Sequence, residues 1–90
     1  MTTNRSITRR ILGYLAEHGG LPGKTKGDIR EALNLPPDTE ITARIRDARK
    51  ASYGAFDVRC HTVEGEYRYW LPIGERERAK ALARHGALAA

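Results

Sequence analysis

The first half of the chain carries apolar residues at the spacing of one face of a helix. The first run predicts a helix that Asn4 or Ser6 can cap and that continues to about His18, where Gly19-Gly20 ends it. Its apolar stripe is formed by Ile7, Ile11, Leu12 and Leu15. This amphipathic pattern predicts that the helix packs by one side against the rest of the fold.

A second, shorter helix is predicted from Lys26 to about Leu33. Thr25 and Asp28 have the spacing of a capping box, in which each side chain bonds the backbone N–H of the other residue. The predicted inner face consists of Ile29, Ala32 and Leu33. Residues 34–38 contain two successive prolines and predict a turn, in which Leu35 is expected to point inward.

A third helix is predicted to follow a cap at Asp38 or Thr39 and to run to about Ala51 or Ser52. Its predicted inner residues are Ile41, Ile45 and Ala48. The other side carries arginines among small and polar residues. This helix therefore has one surface for packing and one basic surface for a partner or for solvent.

From Phe56 onward the period of the pattern changes to two, which predicts two strands. Glu64-Gly65 lies between them and predicts a tight hairpin turn. One side of the alternation is formed by Phe56, Val58, Cys60, Tyr67, Tyr69 and Leu71. Cys60 is expected to be buried on the inner face of its strand, and Trp70 to pack beneath a C-terminal helix.

That last helix is predicted from Glu75 to about His85, and residues 86–90 are expected to fray. Its thin apolar stripe is Ala79, Leu82, Ala83 and Leu88. The helix could lie across the domain against Tyr69 and Trp70, or it could form the contact of a homodimer.

The elements together predict an α+β fold. Residues 1–74 would form a winged helix-turn-helix domain with a three-helix core and a two-stranded hairpin wing, and residues 75–90 the C-terminal helix and tail.

Composition narrows the choice of partner. The 90 residues suit one domain with a modest core. Lys and Arg number 16 against 11 Asp and Glu, and the resulting net charge of +5 favours a polyanion. The single cysteine excludes an internal disulfide. No apolar run is long enough to span a bilayer, and the first residues lack the apolar centre of a signal peptide. We therefore expect a cytoplasmic protein with no membrane partner.

The third helix is expected to bind double-stranded DNA, because a recognition helix packs by one side and enters the major groove with the other. Thr42, Ala43 and Arg46 lie early enough to meet base edges, whereas later residues would touch phosphate. The predicted DNA-binding residues are Thr39, Thr42, Ala43, Arg46, Arg49 and Lys50 in this helix, Lys26 at the start of the second helix, and Arg59, His61 and Arg68 in the hairpin. The alternative for the basic residues is a solvated helix face or an edge charge of the hairpin, with no ligand.

A resemblance supports the same conclusion. The matching residues are Ile11-Leu12, Gly19-Gly20, Ile29, Leu33, Leu35, Ala43-Arg44-Ile45, Arg49 and Phe56-Asp57-Val58. On these residues the chain resembles the small helix-turn-helix proteins common in bacteriophages and prophages, from about Ile7 to Leu71. The resemblance implies a winged helix-turn-helix fold and DNA-binding regulation. Ala48 stands where leucine is usual, and Arg44 could either read DNA or brace the fold with an acidic partner.

No enzyme, metal or cofactor is predicted. Cys60-His61 lies far in sequence from the other histidines and no second cysteine exists, so the sequence does not show the ligand set of a zinc site.

Two alternatives to a sequence-specific regulator stay open. One is a winged-helix module that docks on a host protein, such as a nucleic-acid-processing or defence complex. The other is an architectural protein that binds DNA of any sequence.

Overall fold

The computed structural model describes residues 4–84, which form four helices and one two-stranded antiparallel hairpin. In chain order these are α1 (Asn4–His18), α2 (Lys26–Leu33), α3 (Ile41–Ala48), β1 (Arg59–Val63), β2 (Glu66–Trp70) and α4 (Ile73–Arg84). A short 3-10 turn, Ala51–Tyr53, lies between α3 and β1. The order and the α+β class agree with the sequence-based prediction.

The core lies between α1, α2, α3 and the base of the hairpin. Its fully buried side chains include Ile11, Leu12, Leu15, Ile29, Ile41, Ile45, Phe56 and Leu71. These are the apolar positions that the helical and strand periods singled out, and each element contributes the face on which those positions recur. Leu35, in the turn between α2 and α3, is also buried, as expected.

The predicted cap of α2 is confirmed. Oγ1 of Thr25 accepts a hydrogen bond of 3.0 Å from the N–H of Asp28, and the N–H of Thr25 donates to the Asp28 carboxylate at 3.1 Å. Asn34 ends the helix in the left-handed conformation, with φ of 53°. The predicted inner face was wrong at Ala32, which is exposed because α2 buries only Ile29 fully and Leu33 in part.

Helix α3 is shorter than predicted at both ends. It begins at Ile41 instead of following a cap at Asp38 or Thr39, and it ends at Ala48. The reason lies in the segment that follows: the Ala48 carbonyl accepts the N–H of Phe56, so the chain turns back instead of adding helical residues. The predicted inner face, Ile41, Ile45 and Ala48, is confirmed as buried.

The hairpin has the predicted tight turn, since Glu64 and Gly65 both adopt positive φ, as a two-residue type I′ loop requires. In the register of the two strands, Cys60 pairs with Tyr69 and His61 with Arg68. Tyr69 also forms two reciprocal backbone hydrogen bonds of 2.8 Å with Lys24, so β2 lies between Lys24 and β1.

Cys60 is exposed, and the prediction of a buried thiol was wrong. Two features explain this. β1 is the outer strand of the hairpin, beyond the part of the sheet that the helices cover. In addition, the N–H of Val58 bonds the carbonyl of Phe56, and this turn separates the buried pair Phe56 and Val58 from the strand that holds Cys60.

Helix α4 packs against α1 and completes the core. Ala79 is fully buried and Leu82 packs on the core cluster. Arg78 lies over the ring of Phe56 at 4.0 Å and donates a 2.8 Å hydrogen bond to the carbonyl of Gly54. The predicted positions of Leu88, of the helix end at His85 and of the frayed residues 86–90 lie outside the described residues. Within residues 4–84, no helix has both the length and the apolar character needed to cross a membrane.

Candidate nucleic-acid interface

Helix α3 presents an exposed stripe on the side away from the core. Thr42, Arg46 and Arg49 lie four and three residues apart, which places them on one face, and all three are exposed. Lys50 is exposed beyond the end of the helix, whereas Thr39 and Ala43 are half-buried. The structure thus gathers the predicted residues of the third helix on one side of the molecule.

Arg46 is the free cation of this stripe. It is exposed, and its side chain has no hydrogen bond or ion pair with another residue in the described part of the chain. Thr39 is held more closely, because its carbonyl accepts a 3.2 Å hydrogen bond from the guanidinium of Arg30. Ala43 faces a groove of about 430 Å³ that it shares with Asn4 and Ile7 of α1.

Arg49 and Lys50, which were predicted to touch phosphate, both have partners inside the molecule. Nε and one terminal nitrogen of Arg49 donate to the carbonyl of Val58, at 3.0 and 2.7 Å. Lys50 pairs with Asp47 at 3.0 Å. Arg49 thus connects α3 to the segment before β1, and its predicted phosphate contact stays a prediction.

Arg44 has the acidic partner that the sequence left open as an alternative. Its Nε lies 3.2 Å from the carboxylate of Asp47, and the side chain is only 15% exposed. The pKa of Asp47 is lowered, first by the hydrogen bond from Lys50 and then by nearby positive charge that includes Arg44. Arg44 therefore braces α3 from within the helix.

The start of α2 lies next to the hairpin. Lys26 is exposed there, and together with Thr25 and Gly27 it lines a groove of about 290 Å³ whose other wall is Glu66 and Tyr67. The pKa of Asp28 is lowered, mainly because the backbone N–H of Thr25 donates to its carboxylate. The predicted contact residue Lys26 thus stands between α2 and the hairpin, with its side chain in solvent.

Arg59, His61 and Arg68 lie on one face of the hairpin, as the alternation predicted. That face is turned toward the loop before α2. Nε2 of His61 lies 2.7 Å from the carbonyl oxygen of Pro22, and Arg68 donates to the carbonyl of Gly23 at 3.1 Å. The prediction that these residues contact phosphate or the minor groove stays a prediction, and in the structure His61 and Arg68 are engaged by the loop carbonyls.

The remaining residues of this face contact one another. Arg59 forms a 3.0 Å ion pair with Asp57 and lies over the ring of Trp70 at 5.5 Å. The rings of Trp70 and His61 are 6.1 Å apart. The ring contacts of Trp70 are thus with Arg59 and His61 of the same hairpin face.

The opposite hairpin face is the one that meets α3. Tyr69 is buried on it, and its hydroxyl lies 3.5 Å from Oγ1 of Thr42. Cys60, Thr62 and Tyr67 occupy the same face by the strand register, and all three are exposed. The sequence reasoning did not select any of these three as contact residues, although their alternation with Arg59, His61 and Arg68 was visible.

Comparisons with protein family models, with curated proteins and with solved structures found no match to this chain. The family resemblance therefore stays a prediction. Within residues 4–84, no three His, Cys, Asp or Glu side chains are grouped so as to hold a metal ion.

Proposed function

We propose that this chain is a winged helix-turn-helix protein that binds double-stranded DNA in a sequence-specific manner and regulates transcription. In this proposal α3 enters the major groove and the hairpin is the wing that meets phosphate or the minor groove. Its biological setting would be a phage or prophage, where it acts as a repressor, a Cro-like control protein or an excision factor.

The observation that carries the proposal is the exposed stripe of α3. Arg46 is exposed in it one turn after Thr42, whose Oγ1 lies 3.5 Å from the hydroxyl of Tyr69 in the hairpin. Arginine can donate two hydrogen bonds to guanine, and the methyl group of threonine can pack on that of thymine. A net charge of +5 supplies the general attraction to phosphate that such a reader needs.

Dimerisation is a further part of the proposal, since two half-sites increase specificity. The apolar residues of α4, Ala79 and Leu82, pack on the chain's own core. A dimer through α4 would therefore use its outer face, which carries Glu77 and Lys80 as an ion pair of 3.9 Å. Such a contact would be polar and sensitive to salt.

The second candidate is a module that docks on a host protein. The specific observation in its favour is the groove of about 430 Å³ at the start of α3, whose lining includes Asp38 and Glu40. Both carboxylates are exposed and would repel a phosphate, but they would attract a basic segment of a protein. This end of α3 differs in charge from the stripe around Arg46.

A selection experiment separates the two candidates. The purified protein is incubated with duplexes that contain a random central segment, at about 150 mM salt, where non-specific contacts are weak, and the retained duplexes are sequenced. A shared motif that Arg46→Ala fails to select supports the regulator. Asp38→Asn with Glu40→Gln is the matched variant for the acidic groove. If no motif emerges from wild type and a protein partner survives nuclease treatment but is lost in this variant, the docking module is correct.

A further inference from the structure

We infer that the hairpin meets DNA with the face that carries Cys60, Thr62 and Tyr67, and that Tyr67 is the contact residue at its centre. The inference rests on the proposed DNA-binding function. It goes beyond that function because the basic residues of the hairpin, Arg59, His61 and Arg68, lie on the opposite face and would suggest that face as the DNA contact. We call Cys60, Thr62 and Tyr67 the tyrosine face.

The first argument is geometric continuity with α3. Side chains on one face of a strand point in the same direction, and directly paired residues share that face. Tyr69 lies on the same side of the hairpin as these three residues, and its hydroxyl lies 3.5 Å from Oγ1 of Thr42, at the edge of the exposed stripe. The surface around Thr42 and Arg46 therefore continues onto Thr62 and Tyr67, and a duplex lying on α3 meets these residues next.

The second argument comes from the occupied donors of the other face. His61 and Arg68 are bonded to the carbonyls of Pro22 and Gly23, and Arg59 is paired with Asp57. Binding a phosphate through His61 or Arg68 would compete with these carbonyl contacts, whereas Arg59 uses only its Nε in the pair with Asp57. The side chains of the tyrosine face have no hydrogen bond, ion pair or ring contact with another described residue. They are available without rearrangement.

The third argument is the exposure of Tyr67 itself. This aromatic side chain is 64% exposed although it lies in a strand, and it faces the exposed side chain of Lys26 across the groove of about 290 Å³. A tyrosine ring can pack on a deoxyribose or a base edge while its hydroxyl donates to a phosphate. Glu66 also lines this groove, and its carboxylate is paired with Arg68 at 3.5 Å. The positive charge of Lys26 beside Tyr67 is what would attract a polyanionic backbone that passes between α2 and the hairpin.

Cys60 allows a test without mutation, because it is the only cysteine of the chain and is exposed on the tyrosine face. Its rate of alkylation by a maleimide is measured in the free protein and in the complex with the duplex obtained by selection. If selection yields no motif, a random-sequence 30-base-pair duplex at low salt is the probe. We expect the duplex to slow alkylation severalfold.

Substitutions give the second measurement. Tyr67→Ala is expected to weaken duplex binding by roughly tenfold, the loss of one good contact. Val63→Ala is the matched control, since Val63 is an uncharged residue at the same end of the hairpin but on the opposite face. We expect it to bind as wild type does. Circular dichroism of both variants checks that the fold is kept.

The outcomes are distinguishable from failure of the proposed function. Protection of Cys60 together with weakened binding by Tyr67→Ala supports the inference. If wild type binds the duplex, Arg46→Ala weakens it, and yet Cys60 alkylates at its free rate and Tyr67→Ala binds normally, the tyrosine face is wrong and the proposed function stands. If wild type binds no duplex under either condition, both are overturned.

Discussion

The guanidinium of Arg49 donates two hydrogen bonds to the single carbonyl oxygen of Val58, at 3.0 and 2.7 Å. This contact joins the residue after α3 to the residue before β1, across the 3-10 turn. An arginine that the basic pattern suggested as a phosphate ligand thereby sets the position of the hairpin relative to α3.

Arg49→Lys should therefore lower the free energy of unfolding by about 1–2 kcal/mol, because an ammonium cannot reproduce two hydrogen bonds from a fixed planar group. Urea unfolding followed by circular dichroism measures the change. The matched control is Arg46→Lys, which keeps the charge at an exposed residue without such a contact and should leave stability unchanged. Equal stability of the two variants would contradict a bracing role for Arg49.

Arg46→Ala should affect duplex binding and leave the stability of the fold almost unchanged. It should leave the free energy of unfolding within about 0.5 kcal/mol of wild type, as is usual for exposed side chains. Specific duplex binding should weaken by roughly 1–3 kcal/mol, with relaxed preference at one base pair. Fluorescence anisotropy on the selected duplex and on single-base variants measures both effects. An equal loss on every sequence would show that Arg46 touches only phosphate.

Ala48→Leu tests the position at the end of α3 where the proteins that the sequence resembles usually have leucine. Ala48 is 1% exposed and belongs to the core cluster, so a larger side chain would have to displace its neighbours. We expect overpacking to lower the free energy of unfolding by about 1–3 kcal/mol. A stabilised variant would instead reveal an unfilled space beside α3.

Gly65 and Gly54 both have positive φ, and substituting each by alanine compares backbone strain alone with strain plus a steric clash. Gly65, at the hairpin turn, has open space where a Cβ would stand, whereas a Cβ on Gly54 would come within 2.8 Å of the Phe56 ring. Gly65→Ala should cost about 1–2 kcal/mol from backbone strain, and Gly54→Ala more than that. Thermal unfolding of the two variants gives the comparison. A larger loss at Gly65 would contradict this ranking.

Acid should weaken the cap of α2. The pKa of Asp28 is lowered in the folded chain, chiefly by the N–H of Thr25, so the unfolded chain takes up this proton at a higher pH. The contribution is present at neutral pH and is lost as the pH falls below about 4 toward the folded-state pKa. Asp28→Asn should reduce the decline in stability on acidification without abolishing it, because the pKa of Asp47 is lowered too. Denaturant titrations at several pH values measure the slope; identical slopes would exclude Asp28 from the acid response.

The sequence predicted those parts of the fold that are governed by local signals. Three features depend only on residues that are close together in the chain, and the sequence pattern predicted each of them. They are the cap at Thr25 and Asp28, the turn at Glu64-Gly65 and the inward residues of α3. The hairpin was predicted only in part. Its inner face was predicted correctly at Tyr69, but not at Cys60, which is exposed, and the pairing of Tyr69 with Lys24, more than forty residues earlier, has no local signal.

In the candidate site, too, the features set by local sequence were predicted and those set by distant contacts were not. The exposure of Arg46 follows from the period of its own helix, and it was predicted. The engagement of His61 and Arg68 by the carbonyls of Pro22 and Gly23 depends on contacts between distant segments, and no local pattern reports them. Charge alone favoured those two residues over the uncharged side chains of the opposite face.

The reciprocal hydrogen bonds between Lys24 and Tyr69 have a consequence for the energetics of recognition. They fix the distance between the start of α2 and the base of the hairpin, while Arg49 and Val58 fix the other end of the hairpin to α3. The start of α2, the hairpin and α3 are thus held at fixed separations by contacts within the protein. Association would then cost little ordering of the protein, and discrimination between sequences would depend on how far each duplex must deform to match a rigid template.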